Sequence, residues 1–137
     1  MAVFFSASRE ETIEIAASFA KDLHPGDTVL LDGEMGAGKT IFAKGVAKGL
    51  GIGEEVTSPT YAYMNEYIGG NIALYHYDCY RIESSVQAET LGLADYFYVG
   101  GVCLVEWAQN IEPLLPDKCI RVRILIRGEN EREIRIE

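Results

Sequence analysis

No pair of cysteines stands at metal-binding or redox spacing. The three present, Cys79, Cys103 and Cys119, are scattered and form no C-x-x-C pair. That leaves a zinc site, a redox dithiol and a disulfide framework without support. Each cysteine lies in or beside an apolar run, where a free thiol acts as a small hydrophobe in a reducing compartment. Long apolar runs are also missing: none approaches the roughly 20 residues of a membrane span. The opening segment, Met1 to Ser6, lacks the basic lead and extended apolar stretch of a secretory signal, so the expected location is the cytoplasm, with no membrane partner. Basic residues are in deficit, 12 Lys and Arg against 21 Asp and Glu, for a net charge of −9. Sequence-independent nucleic-acid binding needs a basic surface that displaces counterions, so any link to nucleic acid is expected to run through a protein partner. Repeats, low-complexity tracts and linkers are absent as well.

What remains is a chain of 137 residues, 48% of them hydrophobic, which suffices for a packed core and is expected to form one domain over residues 1–137. Ser8-Arg9-Glu10-Glu11 has the form of a capping box. Behind it Ile13, Ala16, Ala17, Ala20 and Leu23 recur at helical spacing, and Pro25-Gly26 closes the helix. Thr28 to Asp32 is a short β-prone run ending at Gly33, and Phe42, Ala43, Val46, Ala47 and Leu50 mark one face of a second helix. Thr60 to Tyr67 alternates, with Tyr61, Tyr63 and Tyr67 on one side. Gly69-Gly70 turns the chain, and Ile72 to Tyr77 returns as a second strand. A short helix is expected within Gln87 to Leu93, and Val102 to Val105 has the unbroken apolar character of a central strand. Ile120, Val122, Ile124 and Ile126 alternate with Arg121, Arg123 and Arg127. Gly128-Glu129-Asn130 then turns into a last strand, Glu133 to Ile136. The predicted class is α/β, with a parallel central sheet, flanking antiparallel strands and helices on both faces.

Gly33-Glu34-Met35-Gly36-Ala37-Gly38-Lys39-Thr40 matches the phosphate-loop pattern G-x-x-x-x-G-K-[ST] without a gap. Its glycines allow a tight turn that aims successive N–H groups at phosphate oxygens. Lys39 is expected to reach the β- and γ-phosphates of ATP, and the Thr40 hydroxyl to bind Mg²⁺. Chance alone produces such a match in about one chain in a hundred of this length. The apolar strand leading in and the amphipathic helix leading out argue against chance.

Hydrolysis needs acids near the metal. The apolar run at Val102 ends in Glu106-Trp107, so a glutamate stands where P-loop enzymes often place a metal-binding aspartate. Asp78 ends the strand before it, within His76-Tyr77-Asp78-Cys79-Tyr80-Arg81. An acid at a strand end is often only solvated; beside a phosphate loop both become catalytic candidates. Thr57, Ser58 and Thr60 follow the loop helix, where nucleotide switches place γ-phosphate-sensing hydroxyls, although an ordinary Ser-Pro turn has the same composition. His76 is of a kind more often packed and hydrogen-bonded than catalytic, and Trp107 reads equally as core or as site lining.

Taken together and in this order, the phosphate loop, Thr57-Ser58-Pro59-Thr60-Tyr61, His76 to Arg81, Leu91 to Phe97 and Glu106-Trp107 resemble the TsaE family over nearly the whole chain. That family is a bacterial ATPase needed to make threonylcarbamoyladenosine in tRNA. The resemblance implies a P-loop sheet with antiparallel flanking strands and action together with TsaD and TsaB, with tRNA reached only through them. It also implies that Lys39 and the loop amides hold phosphate, and that Thr40 and Glu106 hold Mg²⁺. Asp78 becomes a second acid, and Thr57 and Thr60 a switch. Family nucleotide sites further involve an N-terminal residue and a C-terminal arginine, which match Thr12 and Arg132 here.

Other classes fit less well. A small-molecule kinase usually carries several arginines around its acceptor, yet only Arg81 lies between Gly33 and Asn110. A GTPase would carry an Asn-Lys-x-Asp motif, which the chain lacks. A nucleotide-gated binding module without hydrolysis differs from the ATPase in releasing no phosphate.

Overall fold

The computed structural model describes residues 1–59 and 62–137. Thr60 and Tyr61, the first a switch candidate, lie outside the described residues. Among those described, strands β1 (Ala2–Ser6), β2 (Thr28–Gly33), β3 (Met64–Tyr67), β4 (Leu74–Asp78), β5 (Val102–Glu106), β6 (Ile120–Ile126) and β7 (Arg132–Ile136) form one sheet. Helices α1 (Arg9–Ala20), α2 (Lys39–Gly49) and α3 (Ser85–Thr90) accompany it, with 3-10 segments at Leu93–Tyr98 and Ala108–Leu114. The strand order is β1-β7-β6-β2-β5-β4-β3. The four central strands β6, β2, β5 and β4 run parallel, and β3, β7 and β1 add antiparallel pairs at the flanks. This is the predicted mixed α/β class.

The alternation of the strands divides the core. Val29, Leu31, Leu74, Leu104, Val122 and Ile124 pack with α1 and α2 on one face. Leu30, Tyr75, Tyr77, Cys103 and Val105 pack on the other against α3 and the 3-10 segments. Helix α1 opens as its sequence dictates. Ser8 Oγ accepts from Glu11 N–H at 3.1 Å, and the Glu11 carboxylate reaches back to Ala7 N–H at 3.2 Å. The helix stops at Ala20, short of the Pro25-Gly26 turn.

Small residues let α1 and α2 approach closely, and a Cβ added at Gly49 would overlap the Ala17 carbonyl oxygen. Gly49→Ala should therefore destabilise the fold by about 1–3 kcal/mol through overpacking. Urea unfolding should show a lower midpoint with an unchanged slope. An unchanged midpoint would mean that the helices can part without loss.

The structure corrects several boundaries. Strand β3 begins only at Met64, because Tyr63 takes a left-handed backbone with φ 63° and breaks the expected alternation from Thr60. Tyr63 N–H instead donates to the Pro59 carbonyl at 3.1 Å, and its own carbonyl accepts from Asp78 N–H at 2.8 Å. The return strand is Leu74–Asp78, two residues later in onset than the apolar pattern from Ile72 suggests, and it takes Asp78 into the ladder. The short helix is displaced to Ser85–Thr90, where the Ser84 side chain caps it by accepting from Gln87 N–H at 3.2 Å. Strand β1 has no counterpart in the sequence pattern: four of its five residues are exposed, so it lacks the buried-face periodicity that marks a strand. Cys79 and Cys103 are buried free thiols, as their apolar settings imply, and burial pushes both up to about 12.

Candidate active site

Strand β2 is flanked on both sides by parallel neighbours, which explains the buried Val29-Leu30-Leu31 run that carries the chain into Gly33. Beyond it the loop turns at Gly36 and Gly38, with φ of 84° and 103°, a region that penalises any side chain bearing a Cβ. Gly38 is the N-cap of α2 and offers no side-chain acceptor to the first turn. The opening N–H groups of that helix therefore face the loop's concavity without a capping group, a ready anion site at the positive end of a helix dipole. Lys39 and Thr40 begin the helix and line the same cavity.

The carboxyl ends of three parallel strands meet there. In register, Leu31 of β2 lies beside Glu106 of β5, and Glu106 lies beside Asp78 of β4. A cavity of about 380 Å³ connects the loop to these acids, lined by Lys39, Thr40, Ser58, Asp78, Glu106 and Trp107 among others. Open α/β sheets bind ligands in such a crevice beyond the carboxyl ends of the strands. A groove of similar volume lies elsewhere, along Asp32, Arg121, Arg123 and Arg135, and contains none of the loop or the two acids.

Glu106 is only 5% exposed, and its Oε2 lies 2.6 Å from Nε2 of the wholly buried His76. Asp78 is half-buried, and its Oδ1 accepts from Tyr80 N–H at 3.0 Å. Trp107, directly after Glu106, holds a left-handed backbone with φ 58°, a conformation that costs of order 1–3 kcal/mol outside glycine. That turn lays its ring 5.3 Å from Lys39 Nζ, with the Tyr80 ring at 4.9 Å. Trp107 thus belongs to the cavity wall.

The remaining candidates fall around this centre. Glu34 and Met35 are exposed, Met35 while lining the cavity, and Ala37 is buried. Thr57 and Ser58 are exposed, but only Ser58 lines the cavity. The Thr57 main chain is clasped by two residues of β3 to which the sequence assigns no functional role. Tyr67 Oη accepts from Thr57 N–H at 3.1 Å, and Asn65 Nδ2 donates to the Thr57 carbonyl at 3.2 Å. Their only sequence signal is that both fall on the same side of a strand.

Thr12 and Arg132 lie across the loop from the acids. They line a second cavity of about 190 Å³ that shares Gly36 and Gly38 with the first. Thr12 is buried, its Oγ1 2.7 Å from Ser6 Oγ. Arg132 Nε donates to the Ala37 carbonyl at 2.9 Å and its Nη2 to the Gly36 carbonyl at 3.2 Å, while Nη1 serves the carbonyls of Gly128 and Glu131. The guanidinium therefore ties the loop to the β6–β7 hairpin.

Comparison with known proteins agrees with this architecture. Residues 6–134 match the family model described as "Threonylcarbamoyl adenosine biosynthesis protein TsaE". The tRNA threonylcarbamoyladenosine biosynthesis protein TsaE of Bacillus subtilis is 50% identical over 125 residues, covering 91% of this chain and 78% of that one. Its namesake in Treponema pallidum is 36% identical over 131 residues, 96% of each chain. Among solved structures, a crystal structure of Bacillus subtilis YdiB superposes with a TM-score of 0.80 at 42% identity, covering 97% of this chain and 82% of that one. A family model spanning nearly the whole chain, joined to this likeness of sequence and fold, shows that the chain belongs to the TsaE family of threonylcarbamoyl adenosine biosynthesis proteins.

Proposed function

We propose that this TsaE-family protein serves tRNA threonylcarbamoyladenosine formation as a Mg²⁺-dependent ATPase acting with TsaB and TsaD. The observation that carries this reading is the convergence of an uncapped glycine loop, Lys39, Thr40 and two strand-end acids on one cavity. In the proposed mechanism the loop amides and the α2 N-terminus hold the phosphates. Lys39 leaves the Trp107 ring for the β- and γ-phosphate oxygens.

Among the described residues no group of three or more His, Cys, Asp or Glu side chains is placed to hold a metal. Mg²⁺ does not need one. It takes one or two carboxylates alongside substrate phosphates and water. The donors at hand, the Thr40 hydroxyl and the Glu106 carboxylate, are hard oxygens of the right kind. Held by Thr40 and Glu106, the ion would supply positive charge against the negative charge that develops on the phosphates. In this reading Asp78, the register partner of Glu106, acts as the second acid near the metal or the attacking water.

The nucleoside end of ATP is assigned to the smaller cavity beside Thr12, since the loop glycines are common to both cavities. Arg132 assists indirectly there by fixing the carbonyls of Gly36 and Ala37. The net charge of −9 supports contact with tRNA only through the partners. Phosphate release from Mg-ATP, measured with and without purified TsaB and TsaD, tests the proposal. Stimulation by the pair is expected. Turnover that ignores both proteins, or transfer of phosphate to a metabolite instead of water, would contradict it.

A further inference from the structure

We propose that His76 is the positioning residue for Glu106, holding its carboxylate in the orientation that the ATPase site uses; the inference rests on the role assigned to Glu106 above. The observation is an apparent mismatch in the core. His76 lies in β4, between β3 and β5, with no exposed surface. Its strand neighbour Leu74 and its register partner Leu104 are both wholly buried and apolar. An aliphatic side chain would satisfy that setting without desolvating an imidazole.

Among the described residues the imidazole is incompletely satisfied, because its buried Nδ1 finds no hydrogen-bond partner there. Leaving a buried polar atom unpaired costs about 1–3 kcal/mol. The other nitrogen accounts for the residue. Nε2 is 2.6 Å from Glu106 Oε2, and since a carboxylate can only accept, the N–H is the donor.

The two residues are 30 positions apart but sit on adjacent parallel strands, so their spacing is set by the sheet. Glutamate carries one more rotatable bond than the aspartate common at this position, and it needs lateral support to hold a single geometry. A charge-assisted bond from a ring locked between two strands supplies that support. Oε2 is thereby engaged, and Oε1 is left for the cavity that Glu106 lines. Thr57, tethered to Asn65, approaches from the same side, since Asn65 is the register partner of His76 across β3 and β4.

Three replacements separate positioning from packing. His76→Leu removes the donor, His76→Gln carries an amide to the reach of Nε2, and His76→Asn carries one that stops short. His76→Leu should lower partner-stimulated kcat by about 10–100-fold, the range for outer-sphere partners of metal-site ligands. The dissociation constant for ATP without Mg²⁺, read from Trp107 fluorescence, should stay within about twofold, because the His76 side chain bonds to Glu106 and not to the phosphate-binding amides or Lys39 among the described residues. His76→Gln should recover most of the lost kcat, and His76→Asn should not. A full rate in His76→Leu, or equal rates in His76→Gln and His76→Asn, would overturn the proposal, and the second comparison holds even where the leucine variant fails to fold.

A readout independent of turnover comes from proton NMR. With only two histidines in the chain, and His24 exposed, a slowly exchanging downfield imidazole N–H belongs to His76. It should be present in the wild-type protein and lost in Glu106→Ala. Its persistence there would contradict the pairing. Glu106→Gln, assayed in parallel, distinguishes the two levels of the account. Full turnover in that variant removes the ATPase reading of Glu106, whereas an inactive Glu106→Gln beside a fully active His76→Leu removes only the role of His76.

Discussion

Glu106→Gln should bind Mg-ATP and fold normally yet lose about 10²–10⁴-fold in partner-stimulated hydrolysis, the range for removing a positioned acid or base. The substitution is nearly isosteric, and its amide oxygen can still accept from His76 Nε2–H, so the buried contact at 2.6 Å need not be broken. What disappears is the negative charge facing the cavity, which in this account holds the metal and orients the γ-phosphate. Rapid-quench phosphate release, paired with equilibrium ATP binding, makes the separation visible. An unchanged rate would remove Glu106 from the mechanism, and a parallel collapse of binding would make it a ligand-affinity residue instead.

Lys39→Ala should act on the other axis. Its ammonium lies at the start of α2, half-buried, with the Trp107 ring as its neighbour at 5.3 Å. Drawing that charge from an aromatic face onto phosphate oxygens replaces a contact of about 0.5–2 kcal/mol with charge-assisted hydrogen bonds. Removal of the ammonium should weaken ATP binding by about 100-fold, which corresponds to about 2.7 kcal/mol. The chain's single tryptophan is part of this contact, so titration of Trp107 emission with ATP serves as the measurement. Wild-type affinity in Lys39→Ala would separate the ligand from the loop.

How much of this was legible beforehand follows from the range of each interaction. The phosphate loop was readable because its geometry is local: two glycines at positive φ, an entering strand and an exiting helix all lie within one short segment. The closing hairpin from Ile120 was readable for the same reason, since its turn and its alternation are neighbours in the chain. Glu106 and Asp78 were visible as strand ends, but their adjacency depends on the order β2-β5-β4, which no local pattern encodes. His76 could be assigned to a strand and to burial; its partner lay 30 residues away. Arg132 reaches back 95 residues to the Ala37 carbonyl, so its function as a tie was similarly hidden. Strand β1 escaped because it pairs with the last strand of the chain and buries little of itself. At Tyr63 the alternation pointed to a strand, whereas the backbone there turns left-handed and pairs with Asp78 and Pro59.

The clasp on Thr57 extends the same lesson toward function. Tyr67 and Asn65 bind the main chain of Thr57. A segment held by its backbone at one point and lining the cavity at Ser58 is suited to answer the presence of a γ-phosphate. The pattern of hydroxyl residues raises the expectation of a switch, and the bonds from β3 fix the Thr57 main chain beside it.

The central claim is that one concavity grips the triphosphate while Thr40 and Glu106 share its divalent ion. A crystal structure with Mg²⁺ and a non-hydrolysable ATP analogue tests it most directly. The expected result is β- and γ-phosphate oxygens within hydrogen-bonding distance of the amides around Gly36 to Thr40 and of Lys39 Nζ, with Mg²⁺ between the Thr40 hydroxyl and the Glu106 carboxylate. An analogue seated in the arginine-lined groove near Asp32 and Arg121, with the glycine loop free of phosphate, would contradict it.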